Sequence, residues 1–176
     1  MKRPFAIMLG GRHPKANIEL HDLVFVLAND STEAFKEAKK KWFGDPKKVH
    51  GDGYVDLLSL EGFDYIGTEN SHVSDSEAET NQNKKLFAIN IGGYLQNEFG
   101  EFHHYHFVVA NDGKEAIKKA REAANPSFLV PHVDDKLEVD DLIEVNQIDG
   151  HQLVWRENPN ASKSVSESGY FPFRSN

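Results

Sequence analysis

One stretch of the sequence, Phe5 to Lys39, occurs a second time as Phe87 to Arg121, shifted by 82 positions without a gap. The two stretches are identical at 16 of 35 aligned positions, and several of the differences, such as Leu9 against Ile91, are conservative. Self-similarity at a fixed offset is the sequence signature of a repeated structural unit. The sequence therefore predicts that the same unit is built twice.

Each copy has the pattern of strand, strand, helix, strand, strand. Apolar runs that end in the glycine pairs Gly10-Gly11 and Gly92-Gly93 indicate a buried first strand, and an alternating segment follows each pair. A capping-box spacing then predicts that helices begin after Asp30 and Asp112. In each copy an acidic residue and a glycine between two apolar runs predict a closing hairpin. We therefore expect an α+β protein, a tandem duplication of a β-β-α-β-β unit with antiparallel sheets, one helix per repeat and pseudo-twofold packing.

Composition divides the chain into four segments. Residues 1–67 and 86–156 contain the two repeats, and residues 68–85 between them form an acidic, polar linker. Residues 157–176 form a tail rich in Ser and Asn, which predicts mobility. The aromatic segment Tyr170 to Phe173 within the tail is expected either to dock on the body or to act as a short recognition segment.

The overall composition narrows the classes of function. The chain has no cysteine, which excludes disulfides, thiolate zinc sites and thiol nucleophiles. A net charge of −8 opposes binding to a phosphate backbone, so nucleic acid is not an expected partner. No apolar run approaches the roughly 18 residues that cross a bilayer. We therefore expect no membrane association, and a cytoplasmic location is the default expectation.

A Glu-x-His pair opens the second strand of each copy, as Glu19 with His21 and as Glu101 with His103. Alternation places both side chains on the strand face that continues with Phe and an aliphatic residue, and polar groups on such a face need compensation. Three interpretations stay open: hydrogen bonds to the Gly-Gly loop, a pocket where the carboxylate orients the imidazole for acid-base catalysis, or a divalent metal site in which all four groups converge. These four residues are the candidate catalytic residues and the candidate metal ligands.

A His-x-Asp pair follows the helix, as His50 with Asp52 and, at the same offset, as His132 with Asp134. Beyond that pair the second copy gains six residues, and the alignment resumes at an offset of 88. The alternative to a ligand role is that Asp52 and Asp134 cap turns. Together with the glycine pairs, these residues are the candidate ligand-binding positions: Gly10, Gly11, His50, Asp52, Gly92, Gly93, His132 and Asp134.

Two further polar segments are interpreted as surface. His104 and His106 have no histidine counterparts in the first copy, so an exposed pair is preferred over a metal chelate. The acidic run from Asp134 to Glu144 lacks the residue order of a calcium loop, and we interpret it as a solvated face.

Several segments resemble the bacterial family catalogued as domain of unknown function 1543. The resemblance rests on Gly10-Gly11, Ile18-Glu-Leu-His-Asp22, Trp42-Phe-Gly-Asp-Pro46 and His50-Gly-Asp-Gly-Tyr54, and Pro131-His-Val-Asp-Asp135 with Val139-Asp-Asp-Leu-Ile143 resembles a second copy. The family has one or two copies of a short domain and no established activity. The resemblance thus supports the repeat and implies no function.

Two classes of function stay open, because the sequence has no catalytic motif of high specificity. The preferred one is a non-catalytic module that binds a small ligand of unknown identity or a protein partner, with a homodimer through a sheet edge as one form. The alternative is a hydrolase, isomerase or lyase that uses the Glu, His and Asp residues. A divalent metal is the only cofactor that these residues suggest.

Overall fold

The computed structural model describes residues 1–69, 83–124 and 138–173. We call β1 to β5 with α1 the first half, and β6 to β10 with α2 the second half. The elements of the described residues are β1 (Arg3–Gly11), β2 (Leu20–Ala28), α1 (Ser31–Lys39), β3 (Val49–Asp56), β4 (Ser59–Leu60), β5 (Phe63–Thr68), β6 (Lys85–Gly93), β7 (Phe102–Ala110), α2 (Gly113–Ala123), β8 (Glu138–Val145), β9 (Gln147–Ile148), β10 (His151–Glu157) and β11 (Val165–Pro172).

The predicted fold class, an α+β tandem duplication of a β-β-α-β-β unit with one helix per repeat and pseudo-twofold packing, is wrong. The described part of the chain is mostly β, with 53% strand and 14% helix, and it forms two helices and three sheets. One sheet has the order β4-β5-β10-β9 and so takes strands from both halves. Each closing hairpin has an edge whose backbone groups need partners, and the pairing of β5 with β10 supplies them across the halves.

The other two sheets carry the central strands. Their strand orders are β11-β3-β1-β2 and β7-β6-β8, with β1 and β6 each between two antiparallel neighbours. The registers correspond, because Ala6 lies opposite Phe25 in the first half and Ala88 lies opposite Phe107 in the second.

The two faces of β2 pack against different partners, as the alternation of the sequence predicts. Leu23 and Phe25 pack against a core that both halves share, and the Phe25 ring contacts that of Phe107 with 6.3 Å between centroids. Val24 and Val26 face the other way and pack with helix α1. The apolar positions of each sheet are therefore divided between a helix and the opposite half.

The predicted helix starts and hairpin turns are confirmed. Asp30 accepts a hydrogen bond from the backbone N–H of Glu33 at 2.8 Å, and Asp112 accepts one from that of Glu115 at 2.9 Å. Gly62 and Gly150 have positive φ angles of 84° and 80° in the turns that join β4 to β5 and β9 to β10. Within the described residues, neither helix is long and apolar enough to cross a membrane.

The composition of the tail predicted mobility, but part of the tail forms strand β11, which pairs antiparallel with the outer edge of β3. The Phe171 ring stacks on that of Phe35 in helix α1, with centroids 4.7 Å apart, and Phe173 approaches the same ring. Of the two expectations for Tyr170 to Phe173, docking on the body is the one that the structure shows. Backbone hydrogen bonds to the edge of β3 and the rings of Phe171 and Phe173 therefore hold β11 in place, although the rest of this segment is polar.

Candidate metal centre

Four polar side chains of the first half meet at one end of its central strands. We call Glu19, His21, His50 and Asp52 the first cluster. Gly10 of β1 lies opposite His21 of β2 on one side and opposite His50 of β3 on the other. This register brings the two imidazoles to the same end of the sheet from its two neighbouring strands.

The donor atoms of the first cluster lie within contact of one another. His50 Nε2 is 3.1 Å from Asp52 Oδ1 and 3.5 Å from Glu19 Oε1. His21 Nε2 is 3.2 Å from Asp52 Oδ2 and 3.8 Å from Glu19 Oε1. Glu19, His50 and Asp52 each offer one donor atom, all within 4.8 Å of one another, and His21 adjoins this set through Asp52. One imidazole and two carboxylates thus share a centre, and the His21 imidazole lies beside it.

A β-bulge turns Asp52 towards this centre. Leu9 pairs with Gly51 and Met8 pairs with Gly53, so Asp52 is the additional residue on β3. Bulges of this kind re-aim side chains at functional sites. The Asp52 Oδ2 atom is closed to water and has no hydrogen-bond partner within the described residues.

The absence of a side chain at Gly10 gives the first cluster its space. A Cβ atom at this position would lie 2.8 Å from His50 Nε2 and still closer to Asp52 Oδ2. Alanine would therefore displace the cluster. Gly11 has a different role, because a Cβ there would collide with the Lys48 carbonyl and the Trp42 ring, outside the cluster.

The second half has a smaller cluster at the corresponding place, formed by Glu101, His103 and Asp140, which we call the second cluster. One donor atom from each of the three residues lies within 4.8 Å of the others. His103 Nε2 is 3.3 Å from Asp140 Oδ2 and 3.8 Å from Glu101 Oε2. A Cβ atom at Gly92 would lie 2.7 Å from Glu101 Oε1 and closer to Asp140 Oδ2, so this glycine makes room as Gly10 does.

The structure groups the candidate residues in two clusters, one in each half, and does not bring Glu19, His21, Glu101 and His103 together in one site, which was one of the three alternatives. Glu19 and His21 lie with His50 and Asp52, and Glu101 and His103 lie with Asp140. Gly93 is buried at the end of β6, opposite Phe102. His132 and Asp134 lie outside the described residues, and their role as ligand-binding positions stays a prediction. The catalytic and metal-binding roles of Glu19, His21, Glu101 and His103 also stay predictions.

Asp140 is the site residue that sequence reasoning missed. It lies in the acidic run that we interpreted as a solvated face, and it is the bulged residue of β8 between the partners of Asn90 and Ile91. Asp52 holds the same place in β3, at an offset of 88 rather than 82. Asp56 and Glu144 are aligned at the offset of 88. Applying the same offset four residues earlier aligns Asp52 with Asp140.

The first cluster is accessible from outside. The side chain of His50 is 13% exposed, whereas that of His21 is 52% exposed. The Tyr170 ring of β11 lies 4.7 Å from the His50 ring and covers it on one side. A cavity of about 350 Å³ between the halves is lined by Asp52 of the first cluster and His103 of the second. A small ion or ligand can therefore approach both clusters.

The second histidine pair is only partly on the surface. The rings of His104 and His106 are 5.0 Å apart. His104 is exposed as predicted, but His106 is half-buried and its Nε2 atom has no hydrogen-bond partner within the described residues. Burial, together with the neighbouring His104, lowers the pKa of His106 below its ordinary value.

Comparisons with known proteins found a similar family model and a similar crystal structure. Residues 16–65 match the family model described as Domain of Unknown Function (DUF1543), and this segment contains all four residues of the first cluster. The crystal structure of protein Il1583 from Idiomarina loihiensis is similar with a TM-score of 0.69 and 28% identity, over 99% of this chain and 100% of that chain. Among curated proteins, none matches the chain. These findings indicate no function.

Proposed function

We propose that this protein is a metal-binding module in which the first cluster holds one divalent transition-metal ion. Two imidazole nitrogens and two carboxylate oxygens form a donor set that suits zinc and its neighbours in the first transition row. Because the chain has no cysteine, histidine and carboxylate are the donors it can offer to such an ion.

The spacing of the donors supports this assignment. A tetrahedral zinc ion binds nitrogen and oxygen at about 2.0–2.2 Å, which places neighbouring donors about 3.3–3.6 Å apart. Four separations in the first cluster lie between 3.1 and 3.8 Å. Rotation of the side chains would bring Glu19, His50 and Asp52 to binding distance. His21 faces the other oxygen of Asp52 and must turn towards this set to become the fourth donor.

The single observation that carries the proposal is the buried Asp52 Oδ2 atom, which has no hydrogen-bond partner within the described residues. A buried carboxylate oxygen without a hydrogen-bond partner costs free energy, and natural proteins compensate nearly all such atoms. This oxygen is closed to water, but it faces the imidazole of His21 at 3.2 Å in the space that Gly10 leaves free. A bare divalent ion is much smaller than a water molecule and would satisfy this oxygen and its neighbours together.

The count of donors favours binding over catalysis. Catalytic zinc sites usually keep three protein ligands and an open position for water or substrate, whereas structural sites use four protein ligands. Glu19, His50 and Asp52 supply three donors within 4.8 Å of one another, and His21, which adjoins them through Asp52, would be the fourth. With all four donors bound, a tetrahedral ion has no position left for a substrate. This argument favours a binding module over a metal-dependent hydrolase, isomerase or lyase.

We propose further that the two halves arose by tandem duplication and that the second cluster is a weaker copy of the site. It brings one imidazole and two carboxylates together, where the first cluster brings two of each. A site with fewer nitrogen donors has a lower preference for zinc. The second cluster therefore also suits ions that prefer carboxylate ligands.

Metal titration of chelator-treated protein tests the proposal. We expect one tight equivalent of zinc in the wild type, its loss in His50→Ala and Asp52→Asn, and its retention in His151→Ala. His151 is an exposed histidine at the start of β10 and serves as the matched control. Thermal unfolding without metal checks that the variants fold. A wild type that binds no zinc, or that binds it equally well in all three variants, would overturn the proposal.

A further inference from the structure

The first half uses one lysine to fasten its helix end to the opposite half. Lys41, just beyond α1, donates through Nζ to the backbone carbonyl of Phe25 in β2 at 2.7 Å. The same ammonium group pairs with Asp149 Oδ1 at 2.7 Å, and Asp149 lies in the turn between β9 and β10. One ammonium therefore links an outward-facing carbonyl to a hairpin carboxylate.

The second half lacks this lysine. Ala123 follows the N-cap Asp112 at the same distance along the chain at which Lys41 follows the N-cap Asp30. Helix α1 ends at Lys39, two residues before Lys41, whereas α2 ends at Ala123. Ala123 is therefore the last residue of its helix, and Lys41 lies beyond the end of its own. The methyl side chain of alanine provides no ammonium group.

The partners of the absent ammonium are still present. Glu61 precedes Gly62 in the turn of the first-half hairpin, as Asp149 precedes Gly150. Within the described residues, no lysine or arginine forms an ion pair with Glu61. Phe107 has the same register against Ala88 that Phe25 has against Ala6, so its carbonyl faces outward from β7. Both acceptors that Lys41 uses in the first half thus have counterparts in the second.

The orientation of the Phe107 carbonyl has independent support. Two residues further along β7, the Val109 carbonyl accepts a hydrogen bond from Lys119 Nζ of helix α2 at 2.8 Å. Carbonyls two residues apart on a strand point the same way. Lys119 does not replace Lys41, because its ammonium is engaged by Val109 and by Glu115 Oε1 at 2.8 Å.

A cavity of about 550 Å³ occupies the place where the lysine is missing. Its walls include Leu60, Glu61, His106, Phe107 and Ala123, and the charged residues Lys119, Glu122 and Lys163 also line it. His106 stands where the first half has Val24, and its buried Nε2 atom has no hydrogen-bond partner within the described residues. The cavity therefore combines apolar wall area with carboxylates, a carbonyl and an imidazole nitrogen, and of its two lysines Lys119 is already paired with Glu115.

We propose that this cavity binds a primary ammonium group at the end of an aliphatic chain, in the position that Lys41 fills in the first half. The aliphatic chain packs along Leu60 and Ala123, and the ammonium lies between Glu61 and the Phe107 carbonyl. A lysine side chain of a peptide and a free alkyl diamine share this chemistry. This site is separate from the two clusters and does not depend on a bound metal.

Chemical-shift titration of the full chain tests the proposal. The ligands are 1,5-diaminopentane, Nα-acetyl-lysine methylamide and, as the neutral control, 1-pentanol. We expect saturable shifts at Glu61, His106 and Ala123 with the two amines and none that saturate with pentanol. Tighter binding of the diamine would identify a free amine as the ligand, and tighter binding of the lysine derivative would identify a peptide side chain.

Two variants keep the test decisive. Ala123→Lys supplies the missing ammonium from the chain itself, so we expect it to abolish the shifts. Glu61→Gln removes the charge at an exposed turn and is expected to weaken amine binding about tenfold, as the loss of a charge-assisted hydrogen bond does. Unchanged binding in both variants, or equal shifts with pentanol and the amines, would overturn the proposal.

Discussion

Replacing Gly10 with alanine is the perturbation that most sharply separates a metal site from a set of hydrogen bonds. Gly10 is not among the described glycines with positive φ, so the backbone accepts alanine. The added Cβ would lie 2.8 Å from His50 Nε2 and closer to Asp52 Oδ2. Relaxed contacts are about 3.5 Å or longer, so the two side chains must move by on the order of 1 Å.

Such a displacement is large on the scale of metal coordination. Ligand distances in metal sites hold to within about 0.2 Å, so a shift of this size removes a donor. We expect Gly10→Ala to weaken zinc binding by about tenfold to a hundredfold, or about 1.4–2.7 kcal/mol. Hydrogen bonds between imidazole and carboxylate tolerate rearrangement much better, because water replaces them at an exposed site.

Competition with a chromophoric chelator measures the zinc affinity, and thermal unfolding without metal reports on the fold. Gly169→Ala is the matched control, since a Cβ there would only touch the Phe171 ring at 3.8 and 3.9 Å. The reasoning is refuted if Gly10→Ala binds zinc within about twofold of the wild type, or if Gly169→Ala loses as much affinity.

Three further predictions follow from the contacts of the described residues. The backbone N–H of Asn29 holds the pKa of Glu33 at about 2, and Lys119 holds that of Glu115 at about 2, both below the usual 4.5. The stability from these carboxylates is complete above pH 4.5 and is lost as the pH falls towards 2. The free energy of unfolding, measured in urea, should fall as the pH falls across that range, and the double variant Glu33→Gln, Glu115→Gln should show a smaller fall. The same fall in the double variant would contradict this prediction. Phe171→Ala should lower the free energy of unfolding by about 2 kcal/mol, because it removes the ring that stacks on Phe35, whereas Tyr170→Phe should cost little. Asp140→Asn should remove only a second, weaker zinc equivalent, so loss of the first equivalent in a titration would count against separate clusters.

Local patterns in the sequence predicted the elements that local interactions stabilise. The spacing of Asp30 and Glu33 predicted a helix start, and Asp30 accepts from the Glu33 backbone N–H at 2.8 Å. Glu33 Oε2 in turn accepts at 2.9 Å from the backbone N–H of Asn29, the residue before the cap. The alternation from Leu23 to Phe25 likewise predicted the face of β2 that packs in the core. These features depend on residues within a few positions of one another.

The long-range pairings could not be predicted in the same way. Trp155 of β10 lies opposite Tyr65 of β5, and nothing in either segment specifies the other as its partner. The β11 strand is also a non-local feature, because its polar composition resembles that of a mobile tail. Its docking depends on the open edge of β3 and on the ring of Phe35. The predicted fold class was wrong because strands from distant parts of the chain share a sheet.

The candidate site was predicted only in part, because the residue pairs are local features but their meeting is a long-range one. Glu19 and His21 share a strand face, and His50 and Asp52 are close in sequence, so each pair was visible alone. Their meeting depends on the register of both strands against Gly10. Asp140 was missed because Asp52 was aligned with Asp134, at an offset of 82, whereas the bulges of β3 and β8 align it with Asp140, at an offset of 88.

Anomalous diffraction at the zinc edge, from crystals of the zinc-loaded protein, tests the central claim most directly. The proposal predicts one strong peak in the first cluster, about 2.0–2.2 Å from the Nε2 atoms of His21 and His50 and from a carboxylate oxygen of Asp52. A map without a peak there, with zinc held only at surface positions such as the His104 and His106 pair, would contradict it. The first cluster would then be a hydrogen-bonded structural group.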